Sequence, residues 1–382
     1  MSNPWNLDDA GKKVLQKVED IAVNVVRPNA IKLDKDAGFP TITMNALRDA
    51  GLLGLVNSKE VGGRGMGLRI AVAICERFGR ECLSTAMVTK MHYCGAAVIE
   101  QHGTKELRRS ITEGGKTTTL AFSEYGSRSH FWIPVSSSEK TADGVKLNAS
   151  KQLITSAGHA DIYVWSSKPA KAEGLSSIYA VPSNSKGLTI SRPYDGLGLR
   201  GNASAGILAK DVVIPLSHCL GEDGKGFDLM MSIVMPYFSF QNCACSIGSM
   251  EGVLEQTVRH VTRSKYSYND SAIADLPQVR GHVAKMRLKT DMVRGLLLDS
   301  LDAAEQGRED VMLRVLESKL AGAETSLEVH DLAMRVCGGA AYRKDNEVER
   351  YFRDSRAASV MAPVSDALYE FIGKAVCGMP VF

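Results

Sequence analysis

From Asp8 to about Gly115, apolar residues recur every three or four positions, as in VLQKVEDIAVNVV, MNALRDAGLLGLV and LRIAVAICERFGREC. That period predicts amphipathic helices with one buried stripe each. Between Thr117 and about Pro215 the pattern shortens to alternating or β-branched runs, TTTLAFSE, VKLNASKQLIT, DIYVWSSK, SIYAVP and GILAKDVVIP, divided by Gly, Asn, Asp and Ser. These runs predict strands and turns. Helical spacing then returns over long stretches, VRGHVAKMRLKTDMVRGLLLDSLDAAEQG and DVMLRVLESKLAGAETSLEVHDLAMRVCGG among them. The expected class is therefore an α+β multidomain chain. Its parts are an N-terminal α-helical domain (1–116), a middle β-barrel or sandwich domain (117–220) and a C-terminal four-helix bundle domain (221–382).

The order helices, strands, helices lacks the βαβ rhythm of a doubly wound sheet, so a Rossmann dinucleotide site is not expected. The glycine cluster VGGRGMG (Val61 to Gly67) falls between helical segments rather than between a strand and a helix, and reads as an interhelical turn. The composition, 44% hydrophobic and 23% charged with a net charge of +3, is that of a globular protein and shows no basic block for nucleic acid or anionic membrane. The apolar stretch from Phe227 to Phe240 is interrupted by Ser232 and Pro236 and falls short of the roughly 20 residues of a spanning helix, so no membrane segment is expected. The start MSNPWNLDDAGKKV has no basic segment followed by an apolar one, which points to a cytoplasmic location. The 8 cysteines form no CxxC pair and the 8 histidines no HxH or HxxxH spacing, so neither a disulfide framework nor a metal site is expected.

Six local motifs occur in a telling order. AFSEYGSRSH (Ala121 to His130) resembles the flavin loop ALTEPGAGSD of the acyl-CoA dehydrogenase family, and LNASKQLITSAGHADIYV (Leu147 to Val164) resembles its LNGTKxWITNGGxAD segment. LGLRGNASAGILAKDVVIP (Leu197 to Pro215) is similar to the end of that family's β-domain. TRSKYS (Thr262 to Ser267), RVCGGAAY (Arg335 to Tyr342) and EVERYFRDSR (Glu347 to Arg356) are similar to three bundle motifs of the same family. The resemblance spans essentially the whole chain.

It implies FAD held between the β-domain and the bundle, an acyl-CoA or acyl-carrier-protein substrate, an electron-transferring flavoprotein or similar acceptor, and a homotetramer or homodimer. For FAD it implies backbone contacts at Phe122 and Ser123 to the flavin ring edge, the Ser129 hydroxyl to a phosphate oxygen, the Thr155 hydroxyl near the flavin N5, Arg263 and Arg335 to the pyrophosphate, Gly338 and Gly339 where the backbone approaches closely, and Tyr266; the adenosine end is expected to reach a neighbouring subunit. Short polar side chains and arginines suit phosphates and ring edges chemically. For the substrate it implies His92, Arg128, His130, Phe238 and Ser239.

Dehydrogenation of an acyl thioester requires carbonyl polarisation, a base for the α-proton and a hydride acceptor. The family's glutamate falls, by this resemblance, on Ala362 in SVMAPVSDAL, and the alternative carboxylate used by some members falls near Phe238. Ser239 stands where an arginine is common, Arg128 and His130 replace a small residue and an Asp, and Leu153 replaces an aromatic. An alanine keeps its backbone N–H, so Ala362 is expected to polarise the carbonyl, with Asp366 and Tyr237 as candidate bases. The implied activity is an FAD-dependent, acyl-CoA-dehydrogenase-like oxidoreductase. Elimination, decarboxylation or desulfination on the same fold, or a non-catalytic subunit of a heteromeric enzyme, are the alternatives.

Overall fold

The computed structural model describes residues 4–127 and 129–381. The N-terminal helices are α1 (Asp9–Ile21), α2 (Arg27–Lys35), α3 (Thr41–Asp49), α4 (Leu68–Gly79), α5 (Leu83–His102) and α6 (Lys105–Thr112). Asp8 starts α1 by accepting the Gly11 N–H at 2.8 Å, a side-chain cap on an otherwise unpaired donor. A π-helical turn, Ala22–Val26, links α1 to α2 just ahead of Pro28. Proline has no N–H for the carbonyl four residues back, and a widened turn accommodates that loss. The same device recurs at Met230–Val234, just before Pro236.

α5 is buried from Leu83 to Ile99, so its sequence shows no clean amphipathic stripe. It lies between α4, the bundle and the β-domain. The VGGRGMG segment is a turn between α3 and α4, as its context predicts.

Eight strands follow: β1 (Thr118–Ala121), β2 (Ser137–Lys140), β3 (Val145–Ile154), β4 (Ile162–Ser167), β5 (Ser177–Pro182), β6 (Leu188–Ile190), β7 (Ala205–Ile214) and β8 (Cys219–Leu220). They form two four-stranded sheets, ordered β1-β4-β5-β8 and β2-β3-β7-β6. β1 and β4 run parallel and the other pairs antiparallel. β4 is buried along its whole length because its sheet is covered on both faces. Tyr163 and Trp165 join the core between the sheets, whereas Ile162 and Val164 join the core shared with the helices. β2, β6 and β8 are only four, three and two residues long, too short to declare a strand period, and are not among the runs visible in the sequence.

The C-terminal part contains α7 (Gly226–Leu229), α8 (Met235–Arg263), α9 (Pro277–Gln306), α10 (Val311–Cys337), α11 (Glu347–Ser355), α12 (Ala357–Val360) and α13 (Ser365–Val376). α8 packs closely on α4 through two glycines one turn apart. A Cβ at Gly248 would lie 2.1 Å from the Glu76 carbonyl oxygen, and one at Gly252 would lie 2.3 Å from that of Arg80. No helix among the described residues is long and apolar enough to cross a membrane.

Candidate active site

A cleft of about 760 Å³ opens where the β-domain, α5 and the start of α8 meet the turn between α12 and α13. One side presents Phe122, Ser123, Ser129, Gln152, Leu153 and Thr155; the other presents Met235, Phe238, Met361 and Ala362. Its inner end, between α5 and α8, is walled by Met87, Met91 and Phe238. Leu153 projects from an irregularity in β3 between Lys151 and Ile154, with φ of 55°. A bulge of this kind re-aims a side chain at a site margin. It leaves Leu153 64% exposed in the cleft, apolar surface without a cover.

Three buried polar knots fasten the walls. In the first, Lys151 Nζ lies 2.6 Å from Glu124 Oε1 and donates to the Ser166 carbonyl at 2.7 Å. Glu124 Oε2 accepts the Val135 and Ser136 N–H groups at 2.6 and 2.9 Å. Burial alone would raise the Glu124 carboxyl, but the Lys151 ammonium and these donors hold it below its ordinary value. Both of its oxygens are engaged, so it braces the loop from within.

In the second knot, the buried Asp354 accepts the Leu199 N–H at 2.6 Å, and Arg353 reaches both Asp34, at 2.7 Å, and the Leu197 carbonyl, at 3.1 Å. Gly198 allows this approach: a Cβ there would sit 2.4 Å from the Arg353 carbonyl oxygen. In the third, Lys319 on α10 donates to the carbonyls of Pro363 at 2.7 Å, Met361 at 3.1 Å and Ala358 at 3.4 Å. This ammonium grips the turn on both sides of Ala362. Burial, with the Lys90 charge nearby, pushes Lys319 down to about 7.

Phe122, Ser123, Ser129, Thr155, Phe238 and Ala362 thus face one cleft. Several other expected site residues stand elsewhere. His92 is buried beneath the cleft, its Nε2 hydrogen-bonded to the Leu53 carbonyl at 2.9 Å and its Nδ1 accepting the Thr118 N–H at 3.1 Å. Burial lowers it to about 4, so it is a neutral fastener between α5 and β1 rather than a pocket-lining group. Ser239 is buried in α8 behind the wall. Tyr237 is half-buried on another face of α8, and burial pushes its hydroxyl up to about 12, away from ionisation at neutral pH. Asp366 is exposed in the first turn of α13, where a carboxylate favours the helix dipole. His130 is exposed, its ring 5.1 Å from that of Trp132. Arg128 lies outside the described residues.

Arg263 and Arg335 are exposed at the far end of the bundle, with Tyr266, Gly338 and Gly339 at the same helix ends. Arg263 is 25 residues beyond Phe238 along α8, a separation of about 37 Å at 1.5 Å per residue. Within one chain these residues do not meet the cleft.

Two groups beside the cleft were not singled out from the sequence: Lys319, and Lys90 behind Phe238. Lys90 had a signal, since it is the only Lys, Arg, Asp or Glu between Leu83 and Ile99. A lone charge in so apolar a run is either exposed or buried for a reason. Lys319 sits in an ordinary mixed stretch and had none.

The cleft fits a flavin in its donor set. Short hydroxyls at Ser123, Ser129 and Thr155 and the backbone at Gly126 lie on one side, opposite the apolar surfaces of Met235 and Val234. The comparisons with known proteins agree with that reading. Residues 8–114, 119–212 and 224–377 match the acyl-CoA dehydrogenase N-terminal, middle and C-terminal domains. Cyclohex-1-ene-1-carbonyl-CoA dehydrogenase of Geobacter metallireducens is 27% identical over 380 residues, covering 97% of this chain and 99% of that protein. The structure of butyryl-CoA dehydrogenase from Megasphaera elsdenii superposes with a TM-score of 0.90 at 20% identity, covering 97% of this chain and 99% of that one. PigA, solved with FAD and proline, superposes at 0.88 and 20% identity over 99% of each chain. This chain belongs to the acyl-CoA dehydrogenase family, oxidoreductases that act on CH–CH groups with FAD as cofactor.

Proposed function

We propose that the cleft binds an acyl thioester, carried by CoA or by a carrier protein, against FAD, with the Ala362 backbone N–H polarising the thioester carbonyl. The observation that carries this reading is the position of Ala362, on the cleft wall and gripped on both sides by Lys319. Phe122, Ser123 and Thr155 would hold the flavin ring system and Ser129 a phosphate oxygen of FAD, which when bound supplies the hydride acceptor. Met87, Met91 and Phe238 exclude water from the acyl group. By the alignment of motifs, Ala362 takes the place of the usual glutamate and Phe238 that of its alternative. In the oxidative reading the base is relocated, and electrons leave to an electron-transferring flavoprotein.

One observation favours a second reaction on the same cleft. Among the described lining residues the only carboxylate is Glu124, and both of its oxygens are occupied. A site that polarises the carbonyl without a free base suits formation of a carbanion by loss of CO2 from a carboxylate or of SO2 from a sulfinate, the SO2 then taking up water to give sulfite, because the broken bond leaves its electron pair on carbon without proton abstraction. The family's assembly suggests a third element. The group of Arg263, Tyr266, Arg335, Gly338 and Gly339 serves the FAD of a neighbouring copy, the two arginines at its pyrophosphate, within a homotetramer or homodimer.

Anaerobic mixing of the FAD-loaded protein with a panel of acyl-CoAs separates the two reactions. The oxidative reading requires the flavin to bleach with the substrate; turnover without lasting bleaching replaces it with the redox-neutral one. No binding of any acyl-CoA or acyl-carrier protein would remove the thioester from the proposal. Placing a carboxylate on the wall by Ala362→Glu is expected to raise dehydrogenation of a simple acyl-CoA.

A further inference from the structure

Lys90 is fully buried on α5, one residue from Met91, which lines the cleft. Its ammonium lies 3.7 Å from the centroid of the Phe238 ring and donates to Asn242 Oδ1 at 2.9 Å. No carboxylate pairs with it among the described residues; the ionisable groups around it include the thiols of Cys75, Cys94 and Cys245 and, close enough to feel its charge, the Lys319 ammonium. A cation removed from water normally has a carboxylate partner, and this one has an amide oxygen and an aromatic face. A second observation points to the same place. Asn242 Nδ2, on a side chain 1% exposed, is a buried donor with no hydrogen-bond partner, and so is the Ser239 hydroxyl one turn earlier on α8. Of Lys90, Phe238, Ser239 and Asn242, Phe238 is the one that lines the cleft. Two adjacent donors, one charged and one unused, with no carboxylate at hand, make an incomplete donor pair matched to a carboxylate.

We propose that Lys90 and Asn242 form an anion subsite, closed by Phe238, that takes the terminal carboxylate of a carboxyacyl thioester. This rests on the thioester reading of the cleft and adds the class of acyl group. Rotation of Phe238 off the ammonium exposes the donor pair to the part of the cleft lined by Met87, Met91 and Phe238. The carboxylate then accepts from Lys90 Nζ and Asn242 Nδ2. Because the charge is recognised at a fixed depth, chain length is selected together with the terminal group.

The test is calorimetric titration of the FAD-loaded protein with paired ligands of equal chain length: succinyl-CoA against butyryl-CoA, glutaryl-CoA against valeryl-CoA, and adipoyl-CoA against hexanoyl-CoA. The expected result is that one carboxyacyl-CoA binds on the order of 30-fold more tightly than its methyl-ended partner, the ratio that a buried charge pair commands. Lys90→Met should erase that ratio while leaving the methyl-ended ligands bound as before, and Asn242→Leu should reduce it. The comparison on the unaltered protein needs no variant, so a folding failure of Lys90→Met leaves it intact. Equal binding within every pair overturns the subsite and spares the thioester reading. Loss of binding in both arms overturns the thioester reading and the subsite with it.

Discussion

Lys319 shows how much of the cleft depends on single buried polar groups. Two of its three acceptors are backbone carbonyls of the turn, Met361 and Pro363, and the third, Ala358, belongs to α12, so the side chain ties the turn to the helix before it. Lys319→Met keeps the length of the side chain and orphans those oxygens. It should cost about 2 kcal/mol in urea unfolding and weaken thioester binding as well; full stability with full binding would show that the turn holds itself. Asp354 offers a cleaner contrast. Burial raises its carboxyl to about 6 despite the neighbouring Arg350, yet the bond it supplies to Leu199 N–H needs only an oxygen acceptor. Asp354→Asn should therefore remain near wild-type stability at neutral pH, whereas Asp354→Leu should lose about 1–3 kcal/mol. Equal losses in the two variants would make the charge, not the acceptor, the important feature.

At the scale of elements, two interruptions set the site. The π turn before Pro236 starts α8 in a register that puts Val234, Met235 and Phe238 on the cleft, and the irregularity in β3 turns Leu153 toward it. The contact of α8 with α4 then holds that register. Gly248→Ala would place a methyl against the Glu76 carbonyl, 2.1 Å away in the native geometry, and backbone on both sides leaves no flexible side chain to yield. A loss of about 2–3 kcal/mol is expected in urea unfolding, as for overpacking elsewhere. An unchanged midpoint would mean that the two helices separate at little cost.

For the molecule as a whole, pH and assembly are the accessible variables. His92 and His330 are both buried and bonded, and burial lowers each to about 4. Since 6.5 is their ordinary value, the unfolded chain binds protons that the folded chain refuses between pH 6.5 and 4. Their contribution is complete above pH 6.5 and is lost as pH falls toward 4, on the order of 3 kcal/mol for each histidine. Urea midpoints should fall steeply across that window, and His330→Asn should flatten the slope; a flat wild-type profile would contradict neutral burial. Assembly is tested from the far end of the bundle. If Arg263 serves a neighbouring copy, Arg263→Glu should reduce FAD affinity on the order of tenfold, the effect of one lost charge-assisted contact. It would do so from about 37 Å away on its own chain. Unchanged affinity would leave that residue without a flavin role.

The sequence by itself determined the succession of helices, strands and helices, because hydrophobic period is a local property and each long element carries enough repeats to declare it. It also marked Phe122, Ser123, Ser129, Thr155, Phe238 and Ala362, which the fold gathers on one cleft. It was silent on β2, β6 and β8, which are short and owe their pairing to neighbouring strands. Only the tertiary structure decided which polar residues face the cleft. His92 and Ser239 lie in the same helices as lining residues, and a rotation of one residue position, about 100°, separates lining from burial. Lys90 is the converse case. Its isolation in an apolar run was legible, but the neighbours that leave its charge unmatched come from Asn242 and Phe238, some 150 positions away along the chain. Burial and charge balance are properties of packed neighbours, and no local pattern encodes them.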